Sequence, residues 1–296
     1  MGNLKGIITH VQRMSFHDGA GIRDTIFFKG CNLRCKWCHN PETLSLRPEV
    51  GWYKERCVHC GECIDKCRQK ALSFIDDKVL RNSELCVLCN ACVDNCCSNA
   101  HYSIDTSYSV TELVDLMGQE RRVFEISGGG VTISGGEPTL QHLFLEELVK
   151  SLHHKKFHIT LQTNMFAPWE VYERILPYVD YYMCDLKLYT TEKHRFWTGK
   201  DNYTILHNIQ KLDKMQKNYC IRTPIIPGVN DDEDELWLIA EYVNCLQHVQ
   251  SYELLPYHRF ATYKYNSLGM DYDFENVLEL SEERMQNLKN KFEKWS

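Results

Sequence analysis

No stretch of this 296-residue chain approaches the ~20 consecutive apolar residues that a membrane-spanning helix needs. The opening residues, MGNLKGIITHVQ, lack the apolar core and small-residue cleavage site of a secretory signal. The expected location is therefore the cytoplasm, with no membrane partner. There is no long basic run, and the formal net charge is -6, which argues against nucleic acid as the main partner. Low-complexity tracts are absent, as are repeats of 20–50 residues outside the paired cysteine motifs described below. What remains, 43% hydrophobic and 25% charged residues, is an ordinary globular composition, in a chain long enough for one large α/β domain or two smaller ones.

Cysteine is the exception, at 15 residues. A cytosolic chain keeps its thiols reduced, so clustered cysteines there point to metal rather than to disulfides. Eleven fall at short regular spacings between Cys31 and Cys96, and Cys97 adjoins the last. Cys184, Cys220 and Cys245 stand alone and are expected to be small buried hydrophobes.

From residue 110 onward the pattern alternates between helix and strand. Strands are predicted at residues 22–29, 131–134, 158–163, 181–185, 220–226 and 252–256, and helices at 140–153, 204–215, 232–246 and from Ser281 onward. In the first helix Leu140, Leu143, Phe144, Leu148 and Leu152 share one face. Such alternation implies βαβ units and a parallel sheet. About six units are present, short of the eight of a closed barrel, so the expected fold is α/β, an open (β/α)6-type barrel. Residues 51–105 differ: cysteine-dense, with little periodicity, a small insert whose core is inorganic. The expected division is 1–50 with 106–296 as the barrel, and 51–105 as a ferredoxin-like domain.

The sharpest motif is Cys31-x3-Cys35-x2-Cys38. Three thiolates on a short loop can ligate three corners of an iron–sulfur cubane and leave one iron open; a three-ligand zinc loop is the competing reading. In the insert, Cys57-x2-Cys60-x2-Cys63-x3-Cys67 and Cys86-x2-Cys89-x2-Cys92-x3-Cys96 are two bacterial-ferredoxin runs, in which the fourth cysteine of each run ligates the other cluster. One [4Fe-4S] cluster is thus expected on Cys57, Cys60, Cys63 and Cys96, and a second on Cys86, Cys89, Cys92 and Cys67, against a zinc ribbon as the alternative. The proline usual after the fourth cysteine is replaced by Arg68 and Cys97, which leaves Cys97 open as a substitute for Cys96.

The stretch FHDGAGIR at residues 16–23, followed by FFKGCNLRCKWCHNPE, resembles the start of the glycyl-radical-enzyme activating enzymes of the radical S-adenosylmethionine (SAM) superfamily, in the subtype with a two-cluster insert. The resemblance runs from about residue 4 to the C-terminal helix. It implies that Cys31, Cys35 and Cys38 carry the catalytic cluster, whose open iron binds the methionine end of SAM. By the same resemblance Trp37 packs near the adenine and His39 follows it as in the family, with Asn40. Gly135, Gly136 and Glu137 match its GGE motif, whose glycines let backbone approach the methionine amino group. A phosphate-binding loop at Gly128–Gly130 lacks the following Gly-Lys-Ser/Thr. Asp185 and Lys187 match a DxK motif, and Arg222 and His258 match positions that contact the polar groups of SAM. The chain departs from the family at Gln162, where an acidic residue is common, at Met165, and at Arg259-Phe-Ala261.

The implied reaction is that of an oxidoreductase: reductive cleavage of SAM to a 5'-deoxyadenosyl radical, then removal of hydrogen from a backbone glycine of a partner glycyl radical enzyme. It would work without oxygen, as a monomer, with flavodoxin or ferredoxin as electron donor and three [4Fe-4S] clusters. A homolytic step needs no acid–base dyad, and none stands out. Two rival readings are another radical SAM peptide maturase and a plain ferredoxin-like electron carrier.

Overall fold

The structure is a computed structural model and describes residues 4–293. Twelve strands are present among them: β1 (Lys5–Ser15), β2 (Arg23–Phe28), β3 (Val50–Trp52), β4 (Leu72–Ile75), β5 (Lys78–Arg81), β6 (His101–Ser103), β7 (Thr106–Ser109), β8 (Gly130–Gly135), β9 (Ile159–Thr163), β10 (Tyr181–Asp185), β11 (Tyr219–Ile225) and β12 (Val249–Pro256). Eight form one sheet in the order β12-β11-β10-β9-β8-β2-β1-β7. From β2 to β12 every neighbouring pair is parallel, which makes six parallel strands, the number expected for an open barrel. β1 runs antiparallel to β2 and β7 antiparallel to β1.

Helices make the crossovers, as parallel pairing demands. His142–His154 joins β8 to β9, Trp169–Ile175 joins β9 to β10, Thr191–Thr198 and Tyr203–Lys214 join β10 to β11, and Glu233–Asn244 joins β11 to β12. Their starts follow capping chemistry. Asp232 accepts the amide of Glu235 at the head of a first turn that also carries Glu233 and Asp234. Ser109 and Glu112 form a reciprocal capping box before Val110–Gly118. One apolar core lies between sheet and helices; it includes Ile26, Ile133, Leu145, Leu148, Ile159, Leu161, Ile209, Ile221 and Leu236, all essentially inaccessible.

Each strand expected from the sequence lies within two or three residues of the observed one. β1 was not expected, because its alternation is diluted: positions 9–14 are only partly covered or exposed, and polar residues are interleaved throughout. Cys184 and Cys220 are buried as expected, whereas Cys245 is exposed just after the end of helix Glu233–Asn244.

The insert hangs from the short β3·β6 ladder, which brings Trp52 opposite His101. Beyond it lies a β4·β5 hairpin whose turn residues Asp76 and Asp77 both have positive φ, the twist that tight hairpins favour. That hairpin was missed because strands of four residues leave almost no periodicity to read. The cysteine runs fold as two copies of one backbone. Cys57–Cys67 recurs as Cys86–Cys96, and left-handed residues recur in register: His59 with Leu88, Gly61 with Asn90, Lys70 with Asn99. Each copy holds a single-turn helix, Glu62–Asp65 and Ala91–Asp94.

Candidate active site

The cysteine loop leaves the C-terminal end of β2 and is pinned on both sides. Gly30 and Cys31 donate their amides to the carbonyls of Thr43 and Leu44, while Arg34 and Lys36 donate to Thr198 and Trp197 at the end of helix Thr191–Thr198. Asn32 and Asn164 are linked at 2.8 Å, tying the loop to the end of β9. Burial pushes the Cys31 thiol up to about 12, with Cys35 adding to it, and pushes Cys35 and Cys38 up as well. Thiols so placed ionise only when a cation shares their site, which suits metal ligands and not free nucleophiles.

Polar groups gather where the neighbouring strands end. Asp185 at the end of β10 is in register with Arg222 of β11, and Arg222 with Glu253 of β12. Lys187 donates to Asp185 Oδ2 at 3.0 Å. Burial works against the charge of Lys187, yet Asp185 and the thiols of Cys35 and Cys31 hold its pKa above the ordinary lysine value. The His39 ring lies tilted at 30° against that of His258, with centroids 4.1 Å apart. Burial first, then His258 and Lys187, pull the His39 imidazole down to about 3, so the ring is neutral near pH 7.

Four buried polar atoms here find no partner among the described residues: His39 Nε2, Asp185 Oδ1, Arg222 Nε and His258 Nδ1. An unsatisfied buried polar atom costs on the order of 1–3 kcal/mol, and natural folds rarely carry several together. Their grouping beside the cysteine loop marks a site built for a polar ligand. Trp37 lies under the loop in a separate apolar cluster with Leu188, Ile226, Val229, Tyr257 and Phe274; its ring centroid is 6.3 Å from both Trp197 and Phe274.

The GGE motif is placed differently from a simple ligand loop. A Cβ on Gly135 would stand 2.2 Å from the backbone N and O of Phe28, and one on Gly136 2.2 Å from the carbonyl of Gly30. The glycines therefore clamp the end of β8 against the start of the cysteine loop, with Glu137 N donating to Gly30 O at 2.7 Å. The Glu137 carboxylate is wholly buried. It accepts from Thr139 N and Oγ1, from Thr163 Oγ1 and from Asn164 N, and burial raises its pKa against those bonds. Its oxygens thus brace β8 to β9, a role the motif alone did not reveal. Gln162 accepts from Ser134 at 2.9 Å. Sequence reasoning also missed Lys264, which donates to Asn40 and Glu42 behind the loop; a lone lysine in the helix Ala261–Leu268 carries no local signal.

The insert contains two cavities. One is lined by Cys57, Cys60, Cys63 and Cys96, with Trp52 and His101; the other by Cys67, Cys86, Cys89 and Cys92, with Arg81. Each set takes three cysteines from one run and the last from the other. Cys96 Sγ accepts the amide of Ala100 at 3.2 Å and Cys67 Sγ that of Ala71 at 3.3 Å, while Cys97 is exposed. Although burial opposes it, amides of His101 and Ala100 and the hydroxyl of Ser98 hold the Cys96 thiol below its usual range. Among the described residues no three His, Cys, Asp or Glu side chains meet where a single ion would sit.

The sequence profile of the Radical SAM superfamily matches residues 86–237. The chain is 39% identical over 293 residues to the trans-4-hydroxy-L-proline dehydratase activating enzyme of Clostridioides difficile, covering 98% of this chain and 97% of the relative. It is 34% identical to the indoleacetate decarboxylase activating enzyme of Tractidigestivibacter scatoligenes, over 97% and 94% of the two chains. With the (2S)-3-sulfopropanediol dehydratase activating enzyme of Klebsiella oxytoca it shares 36% identity over 92% and 88%. The chain belongs to the radical SAM superfamily, among the glycyl-radical-enzyme activating enzymes. As a radical SAM activating enzyme it uses a [4Fe-4S] cluster and SAM, and its partner is a glycyl radical enzyme. Among the described residues no helix is long and apolar enough to cross a membrane.

Proposed function

We propose that in this activating enzyme Cys31, Cys35 and Cys38 hold the catalytic cluster, and that Asp185, Lys187, Arg222, His39 and His258 bind the polar groups of SAM. Bound there and given one electron by a donor, the cluster and SAM would supply a 5'-deoxyadenosyl radical for removing a hydrogen atom from a backbone glycine of the partner. The observation that carries the assignment is the group of four unpartnered buried atoms on His39, Asp185, Arg222 and His258, next to three thiols carried on one loop. Lys187, held charged by Asp185, offers positive charge to the thiolates and to a carboxylate. The neutral His39 ring gives a flat, uncharged wall. Trp37 and its apolar neighbours shape the side of the site where a nucleobase would rest and keep water out. Gly135 and Gly136 hold the loop at the closest approach backbone allows.

The reading extends to the insert: residues 51–105 as a ferredoxin-like domain with one [4Fe-4S] cluster in each cavity, residues 1–50 and 106–296 as the barrel, and flavodoxin or ferredoxin as donor to a cytoplasmic monomer. Its support is the division of eight cysteines into two lining sets that match the crossed ligation of two-cluster ferredoxins.

The test mixes the reconstituted protein anaerobically with SAM, a reductant and its glycyl radical enzyme. Methionine and 5'-deoxyadenosine should form in amounts matching a glycyl radical, seen as an electron paramagnetic resonance doublet that collapses with α-deuterated glycine. Full 5'-deoxyadenosine formation by Arg222→Ala and Asp185→Ala variants at unchanged SAM affinity would overturn the assigned SAM site.

A further inference from the structure

The two halves of the insert share a backbone but not a lining. In both, the second cysteine, Cys60 or Cys89, is exposed and sits between two left-handed residues. In both, the last cysteine accepts an amide from four residues on. Solvent exposure at the second cysteine and this amide bond, two of the levers that set a cluster's potential, are thus matched, although Cys96 gains the amide of His101 and the hydroxyl of Ser98 besides. Charge is not. The cavity of Cys57, Cys60, Cys63 and Cys96 is lined by Glu62, itself exposed, by His59 and His101, and by Trp52; His59 is itself 3.2 Å from Asp77. At the positions equivalent to His59 and Glu62 the other cavity has Leu88 and Ala91, and its charged lining residue is Arg81. Arg81 ends β5 opposite Leu72, and its buried Nη1 finds no hydrogen-bond partner among the described residues.

We propose that Arg81 makes the cluster on Cys67, Cys86, Cys89 and Cys92 the more easily reduced of the two insert clusters, so that an electron entering the insert comes to rest there. The inference rests on the two-cluster reading above. Each cluster takes up one electron from a one-electron donor, flavodoxin or ferredoxin in the cell and dithionite in the test, with no bond made or broken. A guanidinium beside the cluster favours the added negative charge, and its N–H groups favour it again when they reach a sulfur. Glu62 does the reverse in the other cavity. Arg81 also acts electrostatically on His101, which lines the other cavity, so removing it moves the second cluster in the same direction.

Redox titration of the fully loaded protein, followed by electron paramagnetic resonance, identifies the insert's two steps as those that persist in Cys35→Ala. The step at higher potential should vanish in Cys89→Ala and remain in Cys60→Ala. Arg81→Gln should shift that step negative by a tenfold change in the reduction equilibrium, about 59 mV for one electron, and Arg81→Lys should retain most of the wild-type value. Loss of the higher step in Cys60→Ala overturns the inference, as does an Arg81→Gln protein with full iron whose steps stay put. If Arg81→Gln sheds its cluster, the cysteine pair still decides which cluster is reduced first. Wild-type protein saturating at about four irons would sink the two-cluster reading instead, so the two failures are distinguishable.

Discussion

The barrel and the insert solve the same problem with different materials. The barrel buries a continuous apolar core that runs from Ile8 to Phe292. Within residues 51–105, only Ala71, Leu72, Ala100 and Ile104 are buried hydrophobics, while Val58, Phe74, Ile75, Leu80, Leu85 and Val87 are exposed. Below about 40 to 60 residues, apolar burial rarely outweighs chain entropy without a metal or cross-link. The barrel therefore positions its cysteines on a scaffold that stands without them. In the insert the cysteines and whatever they hold are the scaffold.

The largest expected effect follows from that difference. Anaerobic removal of iron by a chelator should drop amide exchange protection in residues 53–100 to that of an unfolded chain, while β8 to β12 remain protected. Protection retained in the metal-free insert would break the comparison. Next, Cys35→Ala should reduce SAM cleavage to background while iron falls from about twelve to about eight per chain. Loss of all iron would mean that the insert depends on the barrel's cluster.

A smaller effect lies wholly within the barrel. Asp213 accepts from Tyr219 OH at 2.7 Å and from the amides of Gln247 and His248, and although burial opposes it these bonds hold its carboxyl below the unfolded value of 3.8. Its contribution is thus present above that value and lost as pH falls below it. Asp213→Ala should cost about 2–3 kcal/mol of barrel stability near neutrality, measured by urea unfolding with insert iron unchanged. Against Asp213→Asn, the wild-type advantage should shrink below pH 3.8.

The smallest effect concerns the joint between the two regions. Tyr53 stacks between Tyr102 at 4.3 Å and Tyr263 at 5.2 Å, and Tyr102 OH meets Ser267 Oγ at 2.8 Å. Tyr53→Leu should cost roughly 0.5–1.5 kcal/mol, visible as faster proteolysis of the insert with barrel unfolding unchanged. Equal loosening of both regions would show that they are not separable.

Cysteine spacing and the positions of the parallel strands were legible because each is local. Three or four positions decide whether thiols reach one cluster, and a run of five or six residues decides a buried strand. The reading of Gly135, Gly136 and Glu137 was incomplete for the opposite reason. What they touch, Phe28, Gly30, Thr163 and Asn164, lies far away in the chain, and no local pattern encodes a partner more than twenty residues off. The same holds for Lys264 against Asn40.

By itself the sequence determined the chemistry: which cysteines stand together, how many βα units follow, and that the second motif repeats the first. Only the tertiary structure decided that Cys96 and not the exposed Cys97 lines the first cavity, and that Arg81 lines one cavity while Glu62 lines the other. Ligand type is a property of residues and their near neighbours, whereas the field around a cluster sums over side chains that meet only when the chain has folded.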